Sequence, residues 1–295
     1  MGIVSVAIKA RGFFWEGIAV TTGKAPLARL RGSDLINKLF THKAKLAQIP
    51  IFGHQGKVFV RVQAYEVSHK ALKRLGLNNS LLKNGPLVCV LKKDQYNKYC
   101  LAIGADPSQL AGVYGPKGIK EQEEVDGGAR TYLTFNARKI FVPEDVDFLT
   151  LCHEVLHDYF MNFFDTPLAG KTDTQRNRDF YTQLIIQEVR RSADKSKKPR
   201  GVSVEEQFFQ EVAERCSTRY DLKSLIETPV DVTRGRWGDV RYVALSKETQ
   251  LFVRECFAYG GATLATEKKW GGVGEQGMGK VPKELEIALR KVVLA

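Results

Sequence analysis

Two histidines and a glutamate stand in the order His153-Glu154-x-x-His157, inside the apolar stretch LCHEVLHDYF at residues 151–160. On a helix, positions i and i+4 lie one turn apart on the same face, so the two imidazoles can grip a single metal ion. Glu154 sits beside the first ligand, where its carboxylate can take a proton from a water at that ion. A bound ion lowers the pKa of water from near 16 toward about 7, giving a nucleophile at neutral pH that can attack a peptide carbonyl. Zn2+ suits the role because it accepts mixed nitrogen and oxygen ligands and does no redox chemistry. The bland alternative is a core helix with two hydrogen-bonded histidines.

A catalytic zinc needs a third protein ligand and one open position. The chain has five histidines and none follows His157; His42, His54 and His69 lie far upstream. A downstream third ligand is therefore a carboxylate or, less often, a tyrosine. Three glutamates qualify. Glu255 lies in LFVRECFAYGGATL, a stretch with little other charge and several small residues. Glu188 lies nearer in sequence, on a segment whose apolar positions include Tyr181, Leu184 and Ile185, and Glu211 lies in FFQEVAER. Glu255 ranks first and the other two remain open. Tyr259, one turn beyond Glu255, and Tyr242 are candidates to donate a hydrogen bond to a developing oxyanion.

The motif, with the strand-like ARTYLTFNARKIFVP before it, resembles the zincin metallopeptidases, in which a sheet edge beside the active helix pairs with extended substrate. Phe160 and Phe163 stand where the metzincin continuation needs Gly and His, and GKTDTQRN keeps only Gly170 and Asp173 of the aspzincin pattern. Glu255-x-Phe257-Ala258 is similar to the Glu-x-Phe-Ala ligand helix of several gluzincins. This resemblance implies an α+β, zincin-like fold: a mixed or antiparallel sheet packed on the HExxH helix, with a helical C-terminal half. It also implies a zinc metalloendopeptidase acting on protein or peptide substrates. Asp158 is expected to support the site from outside or to be solvated.

The elements that must position these groups are partly legible. Ser33 can cap a helix DLINKLFTHKAKLAQ. KVFVRVQAYEV alternates as a strand, and a short helix follows at SHKALKRLGL. PLVCVLKK and KYCLAIGA read as two strands joined by the polar turn DQYN. Residues 112–128 look like loop. The motif helix should start near Pro143, with Glu144, Asp145 and Asp147 at its positive end, and run to about Phe164. Further helices are expected at TQRNRDFYTQLIIQEVRRS, from Val204 to Ile226 capped by Ser203, from Lys247 to about Ala265 capped by Ser246, and from Pro282 to Leu294. RGRWGDVRYVAL reads as turn and strand.

Charge is unevenly spread. Residues 1–75 hold thirteen lysines and arginines against three acids, +10 of the chain's net +12. That density is a footprint for a polyanion, nucleic acid above all, or else a solvated basic surface. It supports a second reading of the protein: a basic nucleic-acid-associated or virion structural protein on an inactive zincin scaffold. The expected division is a basic segment 1–80, a metallopeptidase domain 81–266, and a glycine-rich connector with a last helix at 267–295. In that connector Gly272-x-Gly274-x-x-Gly277 and Gly274-x4-Gly279-Lys280 mimic nucleotide loops. Val281 replaces the magnesium-binding Ser or Thr, and no buried strand precedes them.

Five cysteines without a CxxC argue against a disulfide framework and for a reducing compartment. No 18-residue apolar run, secretory signal or acylation motif is evident. A cytoplasmic or virion-associated location, with no membrane partner, is the expectation.

Overall fold

The computed structural model describes residues 27–40, 44–53, 56–78, 86–108, 110–115, 120–125, 128–133, 138–165, 173–196, 204–216, 242, 245–270 and 280–294. After a 3-10 turn at Leu27–Arg29, the helices are α1 (Gly32–Leu39), α2 (His69–Leu75), α3 (Lys93–Ala102), α4 (Phe148–Asp165), α5 (Asp173–Ser196), α6 (Val204–Arg215), α7 (Lys247–Trp270) and α8 (Lys283–Val292). The strands are β1 (Lys45–Gly53), β2 (Gly56–Glu66), β3 (Leu87–Leu91), β4 (Val113–Gly115), β5 (Lys120–Val125), β6 (Gly128–Leu133) and β7 (Lys139–Pro143). The class is α+β.

Five strands form one mixed sheet in the order β1-β2-β3-β7-β4, with β3 and β7 parallel and the other pairs antiparallel. Alternation sends successive side chains to opposite faces. Val88, Val90, Ile140 and Val142 join the core that holds α4 and α7, while Cys89, Leu91 and Phe141 join a second core with Tyr96, Tyr99 and Cys100 of α3. The sheet is therefore sandwiched at its centre between α3 and α4.

Several expectations change. KYCLAIGA is not a strand: residues 93–102 form α3, because Tyr96, Tyr99 and Cys100 fall at helical spacing and all are buried. The expected helix from Ser33 stops at Leu39, and KLAQ opens β1, where Ile49 and Ile51 alternate inward. The position before α1 is Arg31, not Ser33. Acidic residues 120–125, expected in a loop, form β5 and pair with β6 in a separate hairpin. The strand just before the motif helix, β7, is internal because β4 pairs with it, and among the described strands the sheet edge beside that helix is β4. Pro143 closes β7, and Asp147 caps α4 instead, its carboxylate accepting from the Thr150 amide at 2.7 Å.

α2 starts at Ser68, which accepts from Ala71 N, and α7 at Ser246, which accepts from Thr249 N. Ser203, the stretch 217–241 apart from the Val204 helix before it, and the glycine-rich 271–279 lie outside the described residues. One core runs across positions 80 and 266: Leu35, Ile36 and Leu39 of α1 and Leu285 and Leu289 of α8 belong to the cluster that holds α4 and α7. Two tyrosines tie α8 to that cluster, Tyr159 donating to Val292 O and Tyr181 to Ala288 O. No helix among the described residues is long and apolar enough to cross a membrane.

Every residue from 151 to 160 is buried, so α4 is enclosed rather than amphipathic. Its tightest neighbour is α7. A Cβ at Gly261 would lie 2.8 Å from Leu156 Cδ1 and 3.2 Å from Val293 Cγ1. Glycine there is what lets the two helices approach. Gly261→Leu should lower the unfolding free energy by about 1–3 kcal/mol through overpacking, read by chemical denaturation; unchanged stability would show that the helices have slack.

Candidate metal centre

α4 and α7 bring together the three groups that the sequence singled out. His153 Nε2 and His157 Nε2 are 2.9 Å apart. Glu255 faces both: Oε2 lies 3.1 Å from His153 Nε2 and Oε1 lies 3.2 Å from His157 Nε2. A four-coordinate ion with ligand atoms at about 2.0–2.1 Å has ligand–ligand edges of about 3.3 Å, so the triangle is within a few tenths of an ångström of that size. Among the described residues this is the one cluster of three such side chains that could hold a metal ion. The donor set of two imidazoles and a carboxylate fits a divalent cation.

The other carboxylates are elsewhere. Glu188 is buried but bound to Arg191 at 2.7 Å, and Glu211 accepts from Gln207 at 3.2 Å on α6. Neither joins the cluster. Helix periodicity brings Glu255 in, because Glu255, Ala258, Tyr259 and Ala262 all lie on buried turns of α7, and small residues flank the carboxylate.

The protonation states of His157 and Glu255 suit a ligand set. Burial disfavours charge on His157 and pushes its imidazole down to about 4, against the pull of the Glu255 carboxylate, so the ring is neutral at pH 7. Burial also works against the Glu255 carboxylate, but the His157 and His153 imidazoles beside it outweigh that and hold it well below the usual carboxylate range. Neutral imidazoles and an ionised carboxylate are the forms that bind metal.

Glu154 is fully buried. Among the described residues neither of its carboxylate oxygens has a hydrogen-bond partner. Burial pushes its carboxyl well above the usual range, the Glu255 carboxylate pushes further the same way, and Arg254 offsets part of this. Such a group is costly to hold unless a polar ligand or cation shares the space. The Glu154 side chain packs under Gly112, the residue before β4, where a Cβ would lie 2.8 Å from Glu154 Cγ and 3.1 Å from Oε1. Gly112 thus sets the roof over this carboxyl.

Tyr259 is buried on α7 with its ring centroid 6.2 Å from that of His153. Tyr242 is engaged elsewhere: its hydroxyl donates to Gln250 O, Phe160 packs on its ring and the Arg178 guanidinium lies over it. Asp158 is not solvated. It is fully buried, and Oδ1 accepts from Arg138 Nε at 2.9 Å, joining α4 to the residue before β7. Gly112, Arg254 and the Arg138–Asp158 pair escaped the sequence reading. Gly112 looked like any loop glycine, and no spacing rule links Arg138 to Asp158.

No family model, curated protein or solved structure matches the chain. The site is read from its own geometry.

The protein should bind one equivalent of divalent metal, followed by titration of metal-stripped protein with Zn2+ or Co2+. Removing a ligand should exceed the about 10–100-fold loss typical of groups that only support ligands. Glu255→Ala should therefore weaken binding by more than that, while Glu188→Ala and Glu211→Ala leave it unchanged.

Proposed function

We propose that the protein is a zinc-dependent metalloendopeptidase of zincin type, in the gluzincin branch. The observation that carries this reading is the convergence of His153, His157 and Glu255 beside the buried carboxyl of Glu154, which has no hydrogen-bond partner among the described residues. His153 Nε2, His157 Nε2 and the Glu255 carboxylate would hold the ion. Zinc so bound supplies Lewis acidity, bringing water to a pKa of about 7.

Glu154 accepts the proton of the attacking water and delivers it to the departing amine. Its raised pKa without a cation reflects burial and the neighbouring Glu255 charge. Held beside an ion bound by His153, His157 and Glu255, this carboxyl would be favoured in its ionised, basic form. Tyr259 is the candidate donor to the oxyanion, one helical turn from Glu255 and beside His153. Among the described strands β4 is an edge strand that pairs with β7 on one side. An extended peptide added along its other edge would run past Gly112 and the carboxyl beneath it. The five cysteines are buried and form no disulfide, which favours a reducing location, cytoplasmic or virion-associated.

Metal analysis of purified protein and hydrolysis of a peptide library test the reading. Glu154→Gln should keep the metal and the melting temperature but lower kcat by about 10²–10⁴-fold. Iron in place of zinc, with no peptide cleaved, would overturn it. Tyr259→Phe should lower kcat by about 10²–10³-fold with little change in KM if the hydroxyl meets the oxyanion; wild-type kcat would remove Tyr259 from the mechanism.

A further inference from the structure

We infer that the open face of the β1–β2 hairpin binds single-stranded nucleic acid, independently of the metal centre. On one side of this hairpin Ile49, Ile51, Val60 and Val62 are buried with α3. The opposite side carries Lys57, Phe59, Arg61 and Gln63 of β2, which are exposed. The antiparallel register sets Pro50 opposite Phe59, Gln48 opposite Arg61 and Leu46 opposite Gln63. This is the face of the sheet that α4 covers further along, at β3 and β7. Its other end is closed by Phe40, whose ring stacks on Tyr65 at 5.1 Å. Beyond these covers, Lys57, Phe59, Arg61 and Gln63 are exposed, and no described residue is packed over them.

Three properties select the partner. The first is apolar exposure in one place: Phe59 is 48% and Leu46 82% exposed. A half-exposed ring on a flat strand can stack on a base, and such platforms are sequence-tolerant because every base has a π-face. The second is charge. Lys57 and Arg61 flank Phe59 at i±2, about 7 Å away on the same face, and the Lys57 ammonium lies 5.3 Å from the Phe59 ring centroid. None of the named face residues is acidic. Around them, the described residues between 27 and 78 hold nine lysines and arginines against Asp34 and Glu66, and Glu66 is bound to Lys45 at 3.1 Å. The third is shape and hydrogen-bonding capacity. Gln48 and Gln63 offer amides suited to base edges. A flat face presents no helix to enter a duplex groove, whereas unpaired bases can lie on it. The face thus matches a polyanion that carries flat aromatic groups.

The test uses the full chain and fluorescein-labelled dT and U 20-mers, read by anisotropy across a salt series. Affinity should fall linearly in log–log form with salt. Phe59→Ala should weaken binding by about 5- to 100-fold with the salt slope retained, as loss of one base stack predicts. Lys57→Gln with Arg61→Gln should reduce the slope by about 1.4, two phosphate contacts' worth. Lys283→Gln with Lys291→Gln on α8 should change neither. All these positions are on the surface, so melting temperatures should hold. Glu154→Gln should bind oligonucleotide like wild type, which separates this proposal from the peptidase reading. The proposal is overturned if Phe59→Ala matches the α8 control, if a duplex binds as tightly as the single strand, or if only vesicles containing anionic lipid are bound.

Discussion

The close contact between α4 and α7 is the constraint on which the His153–His157–Glu255 cluster depends. α4 supplies two imidazoles from one face and α7 supplies a carboxylate from another part of the chain, and the three meet only because the helices approach closely. Gly261 against Leu156 permits that approach. Phe257, two residues from the ligand, fills the space alongside, packing on Tyr159, Phe160 and Tyr181. The ligand triangle is therefore set by core packing, and core packing resists small displacements because interiors are close-packed.

Enclosure of α4 has an electrostatic consequence. Glu154, His157, Asp158 and Glu255 all lie in the interior, where ionised groups are costly unless matched. The chain matches them unequally. Asp158 has Arg138, and Glu255 has two imidazoles. Glu154 has a roof made by Gly112 and no hydrogen-bond partner among the described residues. A buried carboxyl held this way is a local departure from good packing, and such departures concentrate at functional sites.

The sheet serves two ends of the molecule differently. At its centre, helices cover both faces. Towards β4 it brings an edge strand to the roof of Glu154. Towards β1 it outruns its helices and leaves one face to solvent, with an aromatic ring between two cations. The same alternation that buries Val60 and Val62 exposes Phe59 and Arg61, so the core face and the open face come from one pattern.

Local spacing alone determined that His153 and His157 share a helix face with Glu154 alongside, since i to i+4 geometry needs no tertiary information. The absence of later histidines narrowed a downstream third ligand to a carboxylate or, less often, a tyrosine. Strands with strict alternation, such as β2, and helices with clear caps, such as α2 and α7, were equally legible. Where a short apolar run fits two periods, as in α3, or where a helix yields to a strand within a few residues, as from α1 to β1, neighbours decided the outcome. Only the tertiary structure decided among Glu255, Glu188 and Glu211. All three are glutamates on helices, and α5 with Glu188 also packs on α4; what distinguishes Glu255 is that its carboxylate meets both imidazoles, a contact between residues 98 positions apart that no local pattern encodes. The same reason hid Gly112 and the Arg138–Asp158 pair: each matters through a partner that chain folding, not spacing, brings beside it.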